Sequence, residues 1–562
     1  MRELFGFIFH SLTLTLFGFK CDSGHLEVRP PSARMFTMNK KETFYITTAI
    51  HYANAGPHMG HAYEGVITDI IARYKRNNGF PTFFLSGTDE HGDKILRAAQ
   101  KENVAPQIFV NNNAQKFKDL YKKIELSNND FIRTSDSEKH WPGVIKWWKN
   151  AEKKGDIYKA VYKGKYCVGC ESFITEKELM DGKCPYHNKE PEIIEEENFF
   201  FKLSKYAPQI QQLIQSDEIK IIPNARKKEM ITILEEGIKD ISCSRPERDI
   251  IWGIPVPNNS GQTIYVWTEA LINYISALGY GSKKEKLMEQ FWPANVHIVG
   301  KDIFRFHAIV WPAMLLSAGL PMPKTILVHG FVTSQGRKMS KSIGNVVDPE
   351  EYIDAYGADA FRYFVAREIS PFEDGDFTKE KFIETYNANL ANGLGNLVSR
   401  TLKMAEQYFD GKIERRLDID TPLQITRETL TGMETLKDYS IPYIVQKNIL
   451  PDYVAKMDKY DIQNAADTIW RLVGLLDGYI TDYEPFKLIK EDKNKTENIL
   501  WNVLYGIYWI TQMVAPILPD TAEKITKALG VTVSNTVSNN EPISFQTECL
   551  DKPLFVRVQT EK

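Results

Sequence analysis

Two hydrophobic rhythms divide the chain. Near its start the apolar run "ETFYITTAI", Glu42 to Ile50, has the length and continuity of a buried strand. Val66, Ile67, Ile70, Ile71 and Tyr74 then recur at helical spacing, and the Asn-Asn-Gly ending at Gly79 predicts the helix stop. A second strand, "TFFLSG", follows Pro81. Strand, loop, helix and strand make a βαβ unit, which predicts a parallel sheet with ligands at the carboxyl ends of its strands. The rhythm returns downstream, with "NVHIVG" as a strand, "IFRFHAIVWPAMLLSAG" as a helix and "TILVHGFV" as another strand. Residues 152–259 read as an insertion between the two α/β segments, and its acidic run "EIIEEEN" reads as a solvated face. Beyond residue 373 strand signals nearly vanish, and amphipathic segments predict a separate helical domain up to residue 535, with "KPLFVRV" in the tail as one more strand. There is no internal repeat and no low-complexity tract.

Length agrees with several cores, because 562 residues exceed what one hydrophobic interior organises. A composition of 43% hydrophobic and 25% charged residues excludes a disordered or fibrous protein. The net charge of −3 means that a nucleic-acid partner has to be held by local basic patches, not by the field of the whole molecule. Six cysteines do not make a disulfide framework in a chain of this size, which favours a reducing compartment. The apolar stretch "LFGFIFHSLTLTLFGF" within residues 1–37 imitates a signal-peptide core, but Glu3 flanks it and no small-residue cleavage pattern follows. An upstream extension, disordered or removed, with the functional chain beginning at Met35 or Met38, is the preferred reading, ahead of an organelle-targeting peptide and a secretion signal. No later segment reaches about 20 uninterrupted apolar residues. The expected location is therefore cytoplasmic, with organellar import as the alternative and no membrane partner.

Three motifs carry chemistry. In "NAGPHMGHAYEG", Asn54 to Gly65, His58 and His61 fall one helical turn apart where a strand gives way to a helix. Exposed N–H groups and the positive dipole end make such a junction an anion site, and the imidazoles can donate to phosphate oxygens beside it. Two histidines at this spacing are also compatible with ordinary packing. In "GRKMSKSIGN", Gly336 to Asn345, Lys338 and Lys341 are point charges on a loop, able to follow charge onto a leaving pyrophosphate. Alone, that stretch is merely a basic loop. Cys167-x2-Cys170 and Cys184-x2-His187 have the spacing of paired zinc knuckles, a closed four-ligand site that is structural and not catalytic.

The combination of His-x-Gly-His after the first strand and Lys-Met-Ser-Lys-Ser after the last resembles the class I aminoacyl-tRNA synthetases. "GTDEHG", "WGIPVP", "VGKDIFRFH" and "GNLVSR" resemble blocks of the methionyl-tRNA synthetase family, and the likeness runs from Thr43 to the C-terminus. The resemblance implies an α/β fold class: a split Rossmann-type parallel-sheet catalytic domain with a zinc-knuckle insertion, followed by an all-α anticodon-binding domain. It divides the chain into an extension (1–37), the first catalytic half (38–151), the knuckle insertion (152–259), the second catalytic half with the lysine loop (260–372), the anticodon-binding domain (373–535) and a tail (536–562).

By that resemblance His58, His61, Lys338 and Lys341 are catalytic and bind ATP, and Arg245 is a further phosphate contact. Ile50, Tyr52, Asp89, Trp267, Ala270, Leu271, Tyr274, Ile303 and His307 form the methionine pocket. A carboxylate for the substrate ammonium and aromatic rings for a polarizable thioether suit that substrate. Asn396, Arg400 and Phe486 contact the anticodon, by hydrogen bonding and by stacking. The implied cofactors are ATP with Mg2+ and one structural Zn2+ held by Cys167, Cys170, Cys184 and His187. The implied partners are methionine, ATP and tRNA(Met), with no DNA, for an expected monomer.

This sequence departs from the family's pattern at a few places. Glu269 stands where aspartate is usual, Phe486 where tryptophan is usual, and Ala49 and His51 differ from the usual residues before Tyr52. The short insertion, largely taken up by the cysteine cluster, disfavours the relatives that handle branched aliphatic amino acids. One methylene is worth only about 1–3 kcal/mol of discrimination, so those enzymes carry a full editing domain. The competing readings are another class I synthetase, a small-molecule nucleotidyltransferase sharing the histidine motif, and a non-catalytic tRNA-binding paralogue.

Overall fold

Phe44–Thr47 (β1) is buried at every position, as a central strand must be when its sheet is covered on both faces. It belongs to a seven-stranded sheet with His51–Tyr52 (β2), Thr82–Asp89 (β3), Asp130–Arg133 (β4), Lys220–Ile222 (β5), Val296–Gly300 (β6) and Thr325–His329 (β7). The order is β2-β3-β1-β6-β7-β5, with β4 also on β3, and every pairing is parallel. The computed structural model describes residues 42–559 apart from 168–171, 175–178, 186–187, 248–251, 260, 284, 340–344, 417, 420, 430–431 and 531–543. The N-terminal extension, Cys170, His187 and Lys341 thus lie outside the described residues.

The join between β1 and β6 decides where a ligand can sit. Ile46 pairs with Val296 and Thr47 with His297, so the two distant α/β segments meet edge to edge. Strand order reverses at that join, and the crevice of a doubly wound sheet opens at such a reversal. Alternation along the strands sends Ile46, Val296 and Leu327 to one face and Tyr45, Val299 and Val328 to the other. The first face packs on Met59–Asn77 (α1) and is continuous with the core of the helical region, while the second packs on Trp147, Trp148 and Trp311. α1 stops at Asn78 and Gly79, and the positive φ of 82° at Gly79 turns the chain out of the helix at little steric cost.

The insertion contributes an antiparallel four-stranded sheet built on Ile157–Cys167 and Glu192–Phe201. It also supplies β5, three residues too short to show a period in the sequence. Beyond residue 373 long helices dominate, but the near absence of strands does not hold. Leu423–Thr429 and Gly432–Tyr439 form an antiparallel hairpin, and Lys412–Glu414 pairs with Ser544–Gln546. These strands are polar and lie between helices, so no buried apolar run marks them. "KPLFVRV" is not a strand either. Tyr386 Oη donates to Val556 O at 3.0 Å, and Asn387 exchanges bonds with the Val558 backbone at 3.0 and 2.9 Å. Side chains, not a ladder, hold the tail.

Ala358–Glu368 (α2) ties the sheet to the helical region through Arg362, whose side chain has no exposure. Its Nη2 lies 2.8 Å from Asp69 Oδ2 on α1 and donates to Pro516 O at 2.9 Å; Nε donates to Ile517 O at 2.8 Å and Nη1 to Ile124 O at 3.1 Å. Burial alone would raise the Asp69 carboxyl, but Arg362, Arg73 and Ser127 hold it below the ordinary aspartate value. Removing one partner of such a pair strands the other charge in the interior. Arg362→Met should lower the unfolding free energy by about 3–5 kcal/mol in denaturant titration. The Asp69→Asn, Arg362→Met double variant should lose less than the sum of the two single changes.

Candidate active site

A cavity of about 230 Å³ opens at the carboxyl ends of β1, β6 and β7. One part of its lining is built by the start of α1. His58 is the N-cap: its Nδ1 accepts from the Gly60 N–H at 3.1 Å, and His61 Nδ1 accepts from the His58 N–H at the same distance. This is a capping box made by two imidazoles in place of the usual hydroxyl and carboxylate. With Nδ1 accepting, the neutral tautomer of each ring carries its proton on Nε2. The rings stack with centroids 3.7 Å apart and planes 22° apart. Burial, then the neighbouring His58 and His51, push the pKa of His61 well below that of free histidine, so this imidazole is a neutral donor at physiological pH. A Cβ at Gly60 would approach the His58 ring to 3.0 Å, so a larger residue there would push the imidazole from its present position.

The opposite wall suits an apolar chain with a polar head. Trp267 lies parallel to Phe306, with centroids 4.2 Å and planes 6° apart, and Tyr52 meets Trp267 edge-on at 6.1 Å. Ile50, Ala270, Leu271 and Ile303 complete the apolar lining, with Asp89 beside them as the polar group. Pairing of β2 with the end of β3 sets Tyr52 directly opposite Asp89. Tyr274 Oη lies 2.7 Å from His307 Nε2, and His307 Nδ1 lies 3.0 Å from Ile303 O. The carbonyl can only accept, so His307 donates from Nδ1 and accepts the tyrosine hydroxyl at Nε2. Burial holds His307 at a pKa of about 4, against smaller opposing effects from Ile303 and Glu64. A π-helical turn at Phe306–Val310 carries His307 into this wall.

Several groups that shape the site carry no motif. Glu64, one turn beyond His61, accepts the Ala49 N–H at 2.6 Å and lies 3.1 Å from His329 Nε2 at the end of β7. Burial opposes ionisation of both groups, yet their mutual contact lowers Glu64 and raises His329. Glu269, fully buried, lies 2.8 Å from His91 Nδ1 and 2.8 Å from His140 Nε2. His140 Nδ1 in turn lies 2.8 Å from Ser276 Oγ. Burial raises the Glu269 carboxyl, and the two histidines overcome that, leaving it below the ordinary glutamate value. Glu64, like Asp69, is a charged residue among the apolar positions of α1, the one available sign for it; nothing local marks His140. Three buried polar atoms on the cavity lining have no hydrogen-bond partner among the described residues: His51 Nε2, Trp267 Nε1 and Asn273 Oδ1.

The structure thus brings His58, His61 and all nine residues of the expected methionine pocket to one cavity. Arg245 is not on its lining. It is buried on Ser244–Pro246, with Nη1 donating to Ser242 Oγ and Ser244 O at 2.7 Å and its guanidinium 4.4 Å from the Tyr265 ring centroid. The lysine stretch begins as a hairpin and not as a loop: Arg337–Lys338 pairs antiparallel with Thr333 and Ser334 across Gln335 and Gly336, both at positive φ. Lys341 falls outside the described residues. In the insertion, Cys167 ends a strand and is buried, as is Cys184, whose N–H donates to Lys189 O at 2.9 Å while its carbonyl accepts from Asn188 at 2.8 Å. With Cys170 and His187 outside the described residues, no set of three metal ligands is assembled among the described ones. In the helical region Asn396 and Arg400 lie on Asn396–Phe409 (α3), Arg400 Nη2 is 2.7 Å from Asp477 Oδ1, and Phe486 is 47% exposed. Among the described residues no helix is long and apolar enough to cross a membrane.

Comparison with known proteins agrees with this geometry. The family described as tRNA synthetases class I (M) matches residues 44–192 and 176–402, and the anticodon binding domain of methionyl tRNA ligase matches residues 443–547. Methionine–tRNA ligase of Caldanaerobacter subterraneus subsp. tengcongensis is 42% identical over 93% of this chain and 80% of its own length. Methionine–tRNA ligase of Thermotoga maritima is 41% identical over 87% of this chain and 75% of its own. The Mycobacterium tuberculosis methionyl-tRNA synthetase solved with methionyl-adenylate superposes with a TM-score of 0.83 at 32% identity, covering 92% of this chain and 100% of that one. The chain belongs to the methionyl-tRNA synthetase family.

Proposed function

We propose that the chain activates methionine with ATP and transfers it to the 3′ end of tRNA(Met). One observation carries this reading: a phosphate-suited helix start and an aromatic, thioether-suited wall line the same cavity. The related Mycobacterium tuberculosis enzyme holds methionyl-adenylate, a molecule with both halves. The methionine side chain lies against Trp267 and the Tyr274–His307 pair, and Asp89 takes the ammonium. The carboxylate oxygen then attacks the α-phosphate of ATP, and the bond to the bridging oxygen of pyrophosphate breaks. His58 and His61 donate from Nε2 as charge builds on the phosphoryl oxygens, while Lys338 and Lys341 follow the charge onto pyrophosphate. In the second step the terminal adenosine hydroxyl of tRNA attacks the methionyl carbonyl and AMP leaves. Magnesium accompanies ATP as its counter-ion. Cys167 and Cys184, both buried, would with Cys170 and His187 hold a closed structural zinc site, which would shape the insertion and take no part in either step.

A non-catalytic paralogue is disfavoured by the intact capping pair His58 and His61, and a small-molecule nucleotidyltransferase by the anticodon-type helical region. Amino-acid-dependent exchange of pyrophosphate into ATP should occur with methionine and with no other member of a panel of amino acids; absence of exchange with methionine refutes the reading. Lys341→Ala should depress that exchange on the order of a hundredfold while tRNA binding persists. Elemental analysis should find about one zinc per chain, and less than about half an equivalent would count against the knuckle. Arg400→Ala should raise the KM for tRNA in aminoacylation by about tenfold, as loss of a charged base contact does.

A further inference from the structure

The row of imidazoles on the nucleotide side of the cavity has a third member. His51 lies on β2, opposite Thr88, with its ring centroid 4.4 Å from that of His61 and 5.5 Å from Phe117, on which it stacks at 17°. It lines the cavity, is 6% exposed, and its Nε2 has no hydrogen-bond partner among the described residues. A buried polar atom left without a partner costs stability, and on the lining of a cavity a bound ligand can supply that partner. We propose that His51 is a further nucleotide-binding residue, donating a hydrogen bond to a phosphate oxygen of ATP alongside His58 and His61.

Placement decides which substrate His51 serves. The other two orphaned atoms on this lining, Trp267 Nε1 and Asn273 Oδ1, belong to the segment that carries Tyr274 and the aromatic wall. His51 instead contacts His61 from α1 and Phe117 from the helix Pro106–Lys123. The charged and titratable groups around it are Glu64 and His61 on α1 and His329 at the end of β7. Burial keeps the ring neutral, with Glu64 opposing and His329 adding to that effect, so it acts as a dipole and not as a cation. A neutral donor in a dry cleft stabilises phosphoryl charge without first having to shed its own hydration.

This inference rests on the ligase reading, and one assay separates the two. Pyrophosphate exchange is measured on the parent enzyme, His51→Phe and His51→Gln, with ATP and methionine varied in turn. Phenylalanine keeps the stack on Phe117 and removes the donor; glutamine restores an N–H near the position of Nε2. The expected result is a KM for ATP raised about tenfold in His51→Phe, the loss of one hydrogen bond to a charged group, with the KM for methionine moving much less. His51→Gln should recover most of that loss. Equal activity of His51→Phe and parent overturns the proposal, as does equal impairment of the two variants, or a defect confined to methionine. A parent enzyme that gives no exchange refutes the ligase reading instead. Should His51→Phe not fold, histidine 15N spectra of the parent decide: α,β-methylene-ATP should shift the His51 Nε2 resonance, assigned through His51→Gln, and an unmoved resonance overturns the inference.

Discussion

A guanidinium survives in a protein interior only where every side of it meets an acceptor, and Arg362 imposes that requirement on three separate stretches of chain. Asp69 on α1, the carbonyl of Ile124 and the carbonyls of Pro516 and Ile517 all converge on it. Desolvating the ion is repaid only if all of these stay in place together. The helix that begins with His58 is thereby locked to the end of the long helix Lys493–Val514, and so to the helical region. The position of α1 is set by this contact near its middle as well as by the sheet beneath it. The shared core agrees, because one apolar cluster runs from β1 and α1 through Phe364 to Trp509 without a break. A protein that binds tRNA at one end and joins its other end to an amino acid needs such rigidity between the two sites.

The cavity combines an apolar, aromatic wall with several ionisable groups, most of which are held neutral or paired. His61 and His307 are neutral through burial, while Glu64 is matched by His329 and Glu269 by two histidines. Unpaired negative charge in such a cavity would oppose an anionic ligand, whereas oriented neutral donors and a preset dipole favour one. Glu269 fits this scheme. On the short helix Val266–Ala270, which carries Trp267 and Ala270, it spans the gap between His91 and His140 at 2.8 Å to each. Its carboxylate thus ties the helix that carries Trp267 to His91 and His140.

Legibility in the sequence followed the physical range of each interaction. β1, β3, β6 and β7 were readable because a strand covered on both faces needs an unbroken apolar run. The stop of α1 was readable because Gly79 is local. The His-x-Gly-His pair was readable as a helix start because a capping box spans three residues. What failed were features that depend on distant partners or have no apolar face. The polar hairpin near residue 430 is set between helices, and "KPLFVRV" is held by side chains of Tyr386 and Asn387. Glu269 meets His140 across 129 residues and His91 across 178, and no spacing rule reaches so far. Arg245 was placed near phosphate by family likeness alone; it lies off the cavity lining, in contact with Ser242, Ser244 and Tyr265 among others.

The aromatic wall of the cavity is stiffened by its own contacts. Trp267 cannot turn away from Phe306 without losing a near-parallel stack, and Tyr274 cannot swing without breaking its bond to His307. His307 is itself fixed through Nδ1 by Ile303. A slot with walls held this way penalises a β-branched side chain by overpacking and a shorter one by the space it leaves. Sulfur gains in addition from contact with ring edges, which a methylene does not match. Those differences add up from several modest contacts, so in a slot of this kind the rigidity of the walls matters more than any single group in them.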